Sequence, residues 1–294
     1  MCVSIASRVK RYTRFVWYNA HIVHPITKKF LKKWYLEKKL STWAIEKRFG
    51  MTRSRVYAAL RLHDIPMRSI AQSHIRYRRS HFSGDELEKA YLIGFAIGDL
   101  RVRNHNGPKS ETISIGCGST QTAQISLFRN MFSNYGRVWQ SRPNLRGAVN
   151  IEAWVDKSFS FLLPKQRSYS QYAKDPKLFF AFLAGFTDAE GSFFISANQA
   201  RVSWGNYNTH VLGFIKNNLL KFGIETSKIV QDHLAGTVMG HGYVRNKNYH
   251  HLSCNRKVMI GELLGALEPY IRHENKRADM ARLRKNLILR GVSP

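Results

Sequence analysis

The apolar positions of this 294-residue chain concentrate in two runs of the same design. Phe182-Leu183-Ala184-Gly185-Phe186-Thr187-Asp188-Ala189-Glu190-Gly191 has a weaker copy 91 residues earlier, Tyr91-Leu92-Ile93-Gly94-Phe95-Ala96-Ile97-Gly98-Asp99-Leu100. Small residues recur four apart in each, Gly94 and Gly98 in one, Gly185 and Ala189 in the other. That spacing places them on one helical face, where missing side chains let two backbones approach closely. Each run then ends in a carboxylate, Asp99 or Glu190. The C-terminal end of a helix disfavours an anion by ~0.3–1 kcal/mol, a cost that a bound divalent cation would offset.

Downstream of each run the same succession of patterns recurs. After the first, residues 101–102 and 113–117 read as strands and 125–132 as a helix. Gly136 then turns the chain into strands at 138–140 and 149–155, and a helix near 158–163 closes the half. After the second run, 192–196 and 201–204 read as strands, 211–222 as a helix and Gly223 as a turn. Strands at 229–234 and 243–253 follow, then helices at 258–267 and 276–289. Ser83, with Glu86 three residues on, makes a capping-box start for the helix entering the first run. Pattern alone therefore reads as α+β with two similar halves.

Residues 26–67 follow a plan of their own. Phe30, Leu31, Trp34 and Tyr35 recur at helical spacing, and Ser41-Thr42 offers an N-cap for a second helix carrying Trp43, Ala44, Ile45 and Phe49. Gly50 breaks that helix, Thr52 can cap a third beginning at Arg53, and the Ile65-Pro66 step ends it. The order resembles the small helix-turn-helix modules of bacterial regulators. In that geometry the early residues of the last helix meet base edges, which nominates Thr52, Arg53, Ser54, Arg55 and Tyr57. A plain three-helix bundle with a solvated basic face is the alternative. Arg76, Arg78 and Arg79 lie in a polar linker that reads as an extended arm along a phosphate backbone or as a solvated tether. The boundaries drawn are a basic extension at 1–25, the module at 26–68, the linker at 69–84, and half-domains at 85–170 and 171–294.

Charge narrows the partner. The net charge is +28, and residues 1–80 alone hold 19 Lys and Arg against 3 Asp and Glu. Such a surface binds nucleic acid by displacing counterions from phosphate and predicts steep salt dependence. A ribosomal-type basic protein would share that composition. No run approaches the ~18 apolar residues of a membrane span, so no membrane partner is expected. No apolar segment near the start reads as a secretory signal, whereas Arg8, Lys10, Arg11 and Arg14 precede any acidic residue, as in a transit peptide. The expected location is cytoplasmic and nucleoid-associated, or an organelle matrix. Cys2, Cys117 and Cys254 are far apart with no metal-ligand spacing, which predicts free thiols.

The two apolar runs also carry a family resemblance. Leu183 through Gly191 fits the nine-letter motif of LAGLIDADG homing endonucleases, with Glu190 at the acidic position. Leu92 through Leu100 keeps Gly94 and Asp99 but has Leu100 where the motif ends in glycine, a residue that would relieve backbone strain in the turn. The chain resembles the single-chain, two-motif type. That resemblance implies an α+β fold: a pseudo-twofold pair of αββαββα half-domains with saddle-shaped antiparallel sheets, beside the small all-α helix-turn-helix domain. It implies that the motif helices pack along Gly94, Gly98, Gly185 and Ala189, bringing Asp99 and Glu190 together to hold Mg²⁺, with Mn²⁺ or Ca²⁺ able to substitute in binding. Asp188 is expected to be a turn or cap residue and not a ligand.

The resemblance further implies that each sheet lies in the major groove with alternate side chains toward the bases. The candidates are Arg101, Arg103, Asn104, Ser114, Arg137, Gln140, Arg142 and Arg146 in the first half, and Ser192, Ser196, Asn198, Arg201, Ser203, Asn206, Arg245, Lys247 and Tyr249 in the second. A basic or polar shell around the attacking water would come from Lys276, its first-half partner Lys165, Gln121 and Asn208. The function implied is a monomeric, sequence-specific double-strand DNA endonuclease, encoded within a mobile intron, that cuts the uninterrupted allele across the minor groove. Two rivals share the basic surface. An RNA maturase acting on its own intron would not need Asp99 or Glu190, and a transcription regulator on a degenerate nuclease fold is favoured by the helix-turn-helix order and by Leu100. The survival of both acids disfavours the regulator.

Overall fold

A computed structural model describes residues 26–69, 72, 75, 77–239, 242 and 244–292. The chain divides into two compact units, residues 1–73 and 74–294. The first holds α1 (Lys28–Leu31), which runs on as a π-helical turn Lys32–Glu37, then α2 (Thr42–Phe49) and α3 (Arg53–Leu62). The Ser41 hydroxyl caps α2 by accepting from the Ala44 N–H at 3.0 Å, and Gly50, left-handed at φ 67°, ends it. Thr52 stands at the N-cap position of α3, but its side chain accepts no hydrogen bond, contrary to the cap expected of it. Leu31, Tyr35, Ile45, Val56 and Leu60 form the core of this unit.

The second unit repeats one plan twice. The first half runs α4 (Glu86–Gly98), β1 (Arg101–Asn104), β2 (Thr112–Ser119), α5 (Thr122–Phe132), β3 (Arg137–Gln140) and β4 (Val149–Asp156). The second runs α6 (Pro176–Glu190), β5 (Gly191–Ser196), β6 (Gln199–Asn206), α7 (Thr209–Lys221), β7 (Val230–His233) and β8 (Tyr249–Cys254), then α8 (Lys257–Leu267) and α9 (Glu274–Leu289). Each half makes a four-stranded antiparallel sheet of the same order, β1-β2-β4-β3 and β5-β6-β8-β7. The fold is α+β with two like halves, as expected.

Three local expectations are corrected. Asp85, not Ser83, caps α4 by accepting from the Leu87 and Glu88 N–H groups, while the Ser83 hydroxyl donates to Glu88 at 2.7 Å. A carboxylate at the positive end of the helix dipole is the stronger cap. The segment near 158–163 is a 3₁₀ turn, Lys157–Leu162, because Leu163-Pro164 follows and proline cannot continue the helical ladder. The strand expected over 243–253 begins at Tyr249 and reaches Cys254, and the polar stretch before it forms a loop in which Asn248 accepts from the Ala235 N–H.

Helices α4 and α6 carry the contact between the halves. A Cβ on Gly94 would collide with the Phe182 carbonyl oxygen, and one on Gly185 with the Tyr91 carbonyl oxygen. One on Gly98 would come within 2.6 Å of both the Ala189 Cβ and the Glu190 Cγ. Tyr91, Phe95, Phe182 and Phe186 are buried around this seam within a single core shared by both halves. The small residues are required because bulkier ones would hold the backbones apart. Gly191, which closes the second motif, is extended (φ −82°, ψ 156°), so backbone strain does not select it. Its missing side chain makes room for Thr187, whose carbonyl oxygen would lie 2.7 Å from an added Cβ. Leu100, at the matching place in the first half, fits as a buried core residue.

Candidate functional site

The packing of α4 against α6 delivers Asp99, at the C-cap of α4, and Glu190, the last residue of α6, to neighbouring positions. Two anions thus meet at the negative ends of two helix dipoles. Part of Asp99 remains open to solvent, yet the protein around its carboxyl removes enough water to push it up to about 6. Burial first, and then the charge of Asp99, pushes Glu190 up to about 7. Each acid is held by one amide. Gln124 donates to Asp99 Oδ2 at 2.7 Å and Asn206 donates to Glu190 Oε1 at 3.2 Å. Both bonds favour the ionised form, opposing burial.

Lys276, near the start of α9, points to the same place. Its ammonium donates to the Gly191 carbonyl oxygen, and it lines a cleft of about 220 Å³ with Asp99, Gln121 and Gln124. Burial lowers its pKa, while Asp188, Asp99 and Glu190 together oppose that shift. Lys165 is not its counterpart, being exposed on the loop after Pro164. Nearby, the Arg167 guanidinium donates to the carbonyls of Leu162 (2.7 Å), Ala96 (2.7 Å) and Leu100 (3.5 Å), much as Arg277, beside Lys276, donates to the Ile271 carbonyl at 2.8 Å. Arg167 therefore caps the carbonyl end of α4 and fixes the segment that carries Asp99. Gln121 lines the cleft from the N-cap of α5, one helical turn before Gln124. Asn208 caps α7, accepting from the His210 N–H at 3.0 Å, and touches neither acid.

Asp188 is neither a turn residue nor a cap of its own helix. It is buried, and its Oδ2 accepts from the Tyr91 hydroxyl (2.7 Å), the Arg272 N–H (2.8 Å) and the His273 N–H (3.1 Å). It thereby ties α4, α6 and the turn before α9 together. Among the described residues no cluster of three metal-binding side chains forms. A divalent cation between Asp99 and Glu190 would take its remaining oxygens from water, main chain or a phosphate. Two hard carboxylates at adjacent dipole termini, each raised toward neutrality, suit such a cation.

Strand register sorts the sheet candidates. On the open face of the first sheet, Arg103, Ser114, Trp154 and Arg137 form one cross-strand row, and Arg101, Gly116, Glu152 and Trp139 the next. Ser114 lies beneath its longer neighbours with its hydroxyl donated to Glu152, so it is not a free contact. Asn104 pairs with Ile113 and Gln140 with Ile151, which puts both on the helix-covered face; Gln140 accepts from Arg129 of α5. Arg142 and Arg146 are exposed in the β3–β4 hairpin. The Arg137 guanidinium lies 4.2 Å from the centre of the Tyr77 ring.

On the second sheet Ser192, Ser196, Arg201 and Ser203 share the open face, and Ser192, Ser203 and Ser253 stand in one row. A cleft of about 330 Å³ there contains Glu190, Arg201, Tyr249 and His251. Asn198 is a left-handed turn residue (φ 58°) whose carbonyl accepts from Asn286 of α9. Asn206 is buried and serves Glu190 instead of a base. Arg245 stacks on Tyr249 at 4.3 Å and donates to the Tyr207 hydroxyl, and Lys247 is exposed in the loop beside it. Period-two parity could have separated these residues, but only once the register was known.

In the first unit Thr52, Ser54 and Tyr57 are exposed, Arg55 is half-buried, and Arg53 is paired with Glu46 at 3.1 Å. Arg78 is exposed, whereas Arg79 spends its guanidinium on the Glu111 and Val155 carbonyls and the Thr112 hydroxyl. Arg79 is thus a tie within the second unit and not an arm residue. Arg76 and residues 1–25 lie outside the described residues. No described helix is long and apolar enough to cross a membrane, and Cys117 and Cys254 are buried free thiols.

Residues 178–258 match the family described as a LAGLIDADG-like domain. No curated protein matches the sequence. Among solved structures, I-DmoI in complex with DNA and Mn aligns with a TM-score of 0.45 at 17% identity, over 62% of this chain and 97% of that one. I-WcaI bound to its DNA recognition sequence aligns with 0.44 at 15%, over 66% and 85%. The N-terminal LAGLIDADG domain of DUF199/WhiA aligns with 0.44 at 18%, over 64% and 86%. The matched residues begin in α6 and end in α8, and the first half repeats their element order and sheet order. Residues 178–258 thus match the LAGLIDADG-like domain family, and the chain is α+β with two like halves.

Proposed function

We propose that the protein is a sequence-specific double-strand DNA homing endonuclease. The observation that carries this reading is the meeting of Asp99 and Glu190 at the ends of two helices packed through glycine, in a chain of net charge +28. A regulator that only bound DNA would have no use for two partly desolvated carboxylates at adjacent dipole termini, where each is destabilised. Mg²⁺ held by the two acids would neutralise charge on the scissile phosphodiester and acidify a bound water.

The chain's own residues have separable tasks. Gln124 and Asn206 aim the carboxylates, and Lys276 Nζ brings a positive charge and a proton to the cleft beside Asp99. Arg101, Arg103 and Arg137 on one sheet and Arg201 on the other supply base and phosphate contacts along a long, asymmetric target. The exposed side of α3, with no acid in the helix itself, would extend that target by a second duplex contact. The enzyme would act as a monomer, since one chain contains both acids.

The test is incubation with duplex DNA spanning the uninterrupted host locus, in Mg²⁺ and in EDTA, beside Asp99→Asn and Glu190→Gln variants, with ends mapped on both strands. Mg²⁺-dependent cuts that vanish in either variant are expected. Tight binding with no cuts under any divalent metal overturns the nuclease reading.

A further inference from the structure

Glu152 stands near the middle of the open face of the first sheet, on a surface whose other charged residues in these two rows are Arg101, Arg103 and Arg137. Of the two acids in β1–β4, Asp156 is engaged at its strand end by the Ser158 N–H and His81. Glu152 is held differently. One carboxylate oxygen accepts from the Ser114 hydroxyl and faces Arg103 at 3.4 Å, while the other accepts no hydrogen bond from any described residue. Directly across the strand pair is Gly116, where a Cβ would lie 3.5 Å from the Arg101 guanidinium and 3.8 Å from Glu152 Cγ. Arg101 and Glu152 therefore lean over the same bare stretch of backbone, and Trp139 closes the row on the other side.

A carboxylate in a face presented to a polyanion repels phosphate, so it is out of place there unless it meets a donor. The floor of the major groove offers two kinds of donor, the exocyclic amino groups of cytosine and adenine, and a carboxylate pairs with cytosine N4. An arginine beside it has the complementary preference for guanine O6 and N7. We infer that Glu152 and Arg103 form a base-pair reader, in which the free oxygen of Glu152 accepts from cytosine N4 and Arg103 donates to the guanine of the same pair. Ser114 and Gly116 make this possible. The serine hydroxyl pins one oxygen so that the other points outward, and the glycine leaves space for the groove floor to approach. The inference rests on the DNA-binding reading above and adds a specific sequence preference at one place in the first half of the target.

The experiment is selection from a randomised duplex library with sequencing, using the full chain and its Glu152→Gln, Glu152→Ala and Arg103→Met variants in EDTA to prevent cleavage. The wild-type profile is expected to contain a G·C pair whose preference falls roughly tenfold in Glu152→Gln. Other positions are expected to stay unchanged, and general affinity to rise because an acid is lost. Arg103→Met is expected to relax the same pair and to weaken binding overall. A Glu152→Gln profile identical to wild type overturns the reader while leaving DNA binding intact. A wild-type protein that enriches no sequence overturns both readings. Matched thermal unfolding of wild type and Glu152→Ala separates a reading role from a role in holding the sheet.

Discussion

The Tyr91 hydroxyl donates a 2.7 Å hydrogen bond to the buried carboxylate of Asp188, joining the two motif helices by a polar tie as well as by close backbone packing. Tyr91→Phe removes that donor while keeping the ring, leaving a buried carboxylate short of one partner. The expected loss is about 1.5–3 kcal/mol, the range for hydrogen bonds to charged groups. Denaturant unfolding at neutral pH measures it, and a midpoint equal to wild type would show that the tie contributes nothing.

Stability should also depend on pH through the acid pair. Asp99 is raised to about 6 and Glu190 to about 7, both above their ordinary values of 3.8 and 4.5. Between roughly pH 4 and 7 the folded chain therefore binds more protons than the unfolded chain at these sites, so their contribution to stability falls as pH rises through that window. Asp188, pushed up by burial, acts in the same direction. Thermal unfolding across the window should show this slope, and Asp99→Asn with Glu190→Gln should flatten it. Mg²⁺ should raise Tm at pH 8 and scarcely at pH 5, with no gain in the double variant.

Gly94→Ala and Gly185→Ala should each be severely destabilising. The added methyl meets backbone oxygen on the opposite helix, which cannot rotate away. The cost should reach or exceed the upper end of the ~1–3 kcal/mol typical of overpacking. Gly213→Ala, where nothing lies within 4 Å of the new atom, is the control and should leave stability unchanged or improve it.

Arg167 and Lys165 separate cleanly by experiment. Arg167→Met frees the carbonyl end of α4 and lets Asp99 drift, which should slow cleavage roughly ten- to hundredfold. Lys165→Ala, on the exposed loop, should leave the rate unchanged. Single-turnover rates on saturating DNA measure the difference, and equal rates for the two variants would reject a positioning role for Arg167.

The repeat, the glycine spacing and the terminal acids were legible because each is a local pattern: an apolar run of helical length, small residues four apart, a carboxylate at its end. Which amide serves which acid was not. Gln121 and Gln124 lie on the same side of one helix, and only the placement of α5 against α4 decides that the second reaches Asp99. Asn206 sits in a strand whose parity points it toward a base or toward the core according to register, and the register puts it on Glu190. Arg167 was not legible because only the placement of the loop after Pro164 against α4 brings its guanidinium to the Ala96 carbonyl. Asp188 looked like a turn residue because its partners, Tyr91 and the main chain of Arg272 and His273, lie more than 80 residues away.

The contact between Gly94 and the Phe182 carbonyl is matched by that between Gly185 and the Tyr91 carbonyl, and each residue of one pair lies 91 positions from its equivalent in the other. In its glycine contacts the interface is pseudo-twofold, like the seam of a twofold dimer, although the Tyr91–Asp188 bond has no counterpart between Phe182 and Ile97. It holds no information about which copy of a half it faces, so the peptide linking the halves, and not the seam, decides that they come from one chain. At high concentration the seam would accept an exchanged half from a second molecule as readily as its own. The covalent connection supplies fidelity that the glycines cannot.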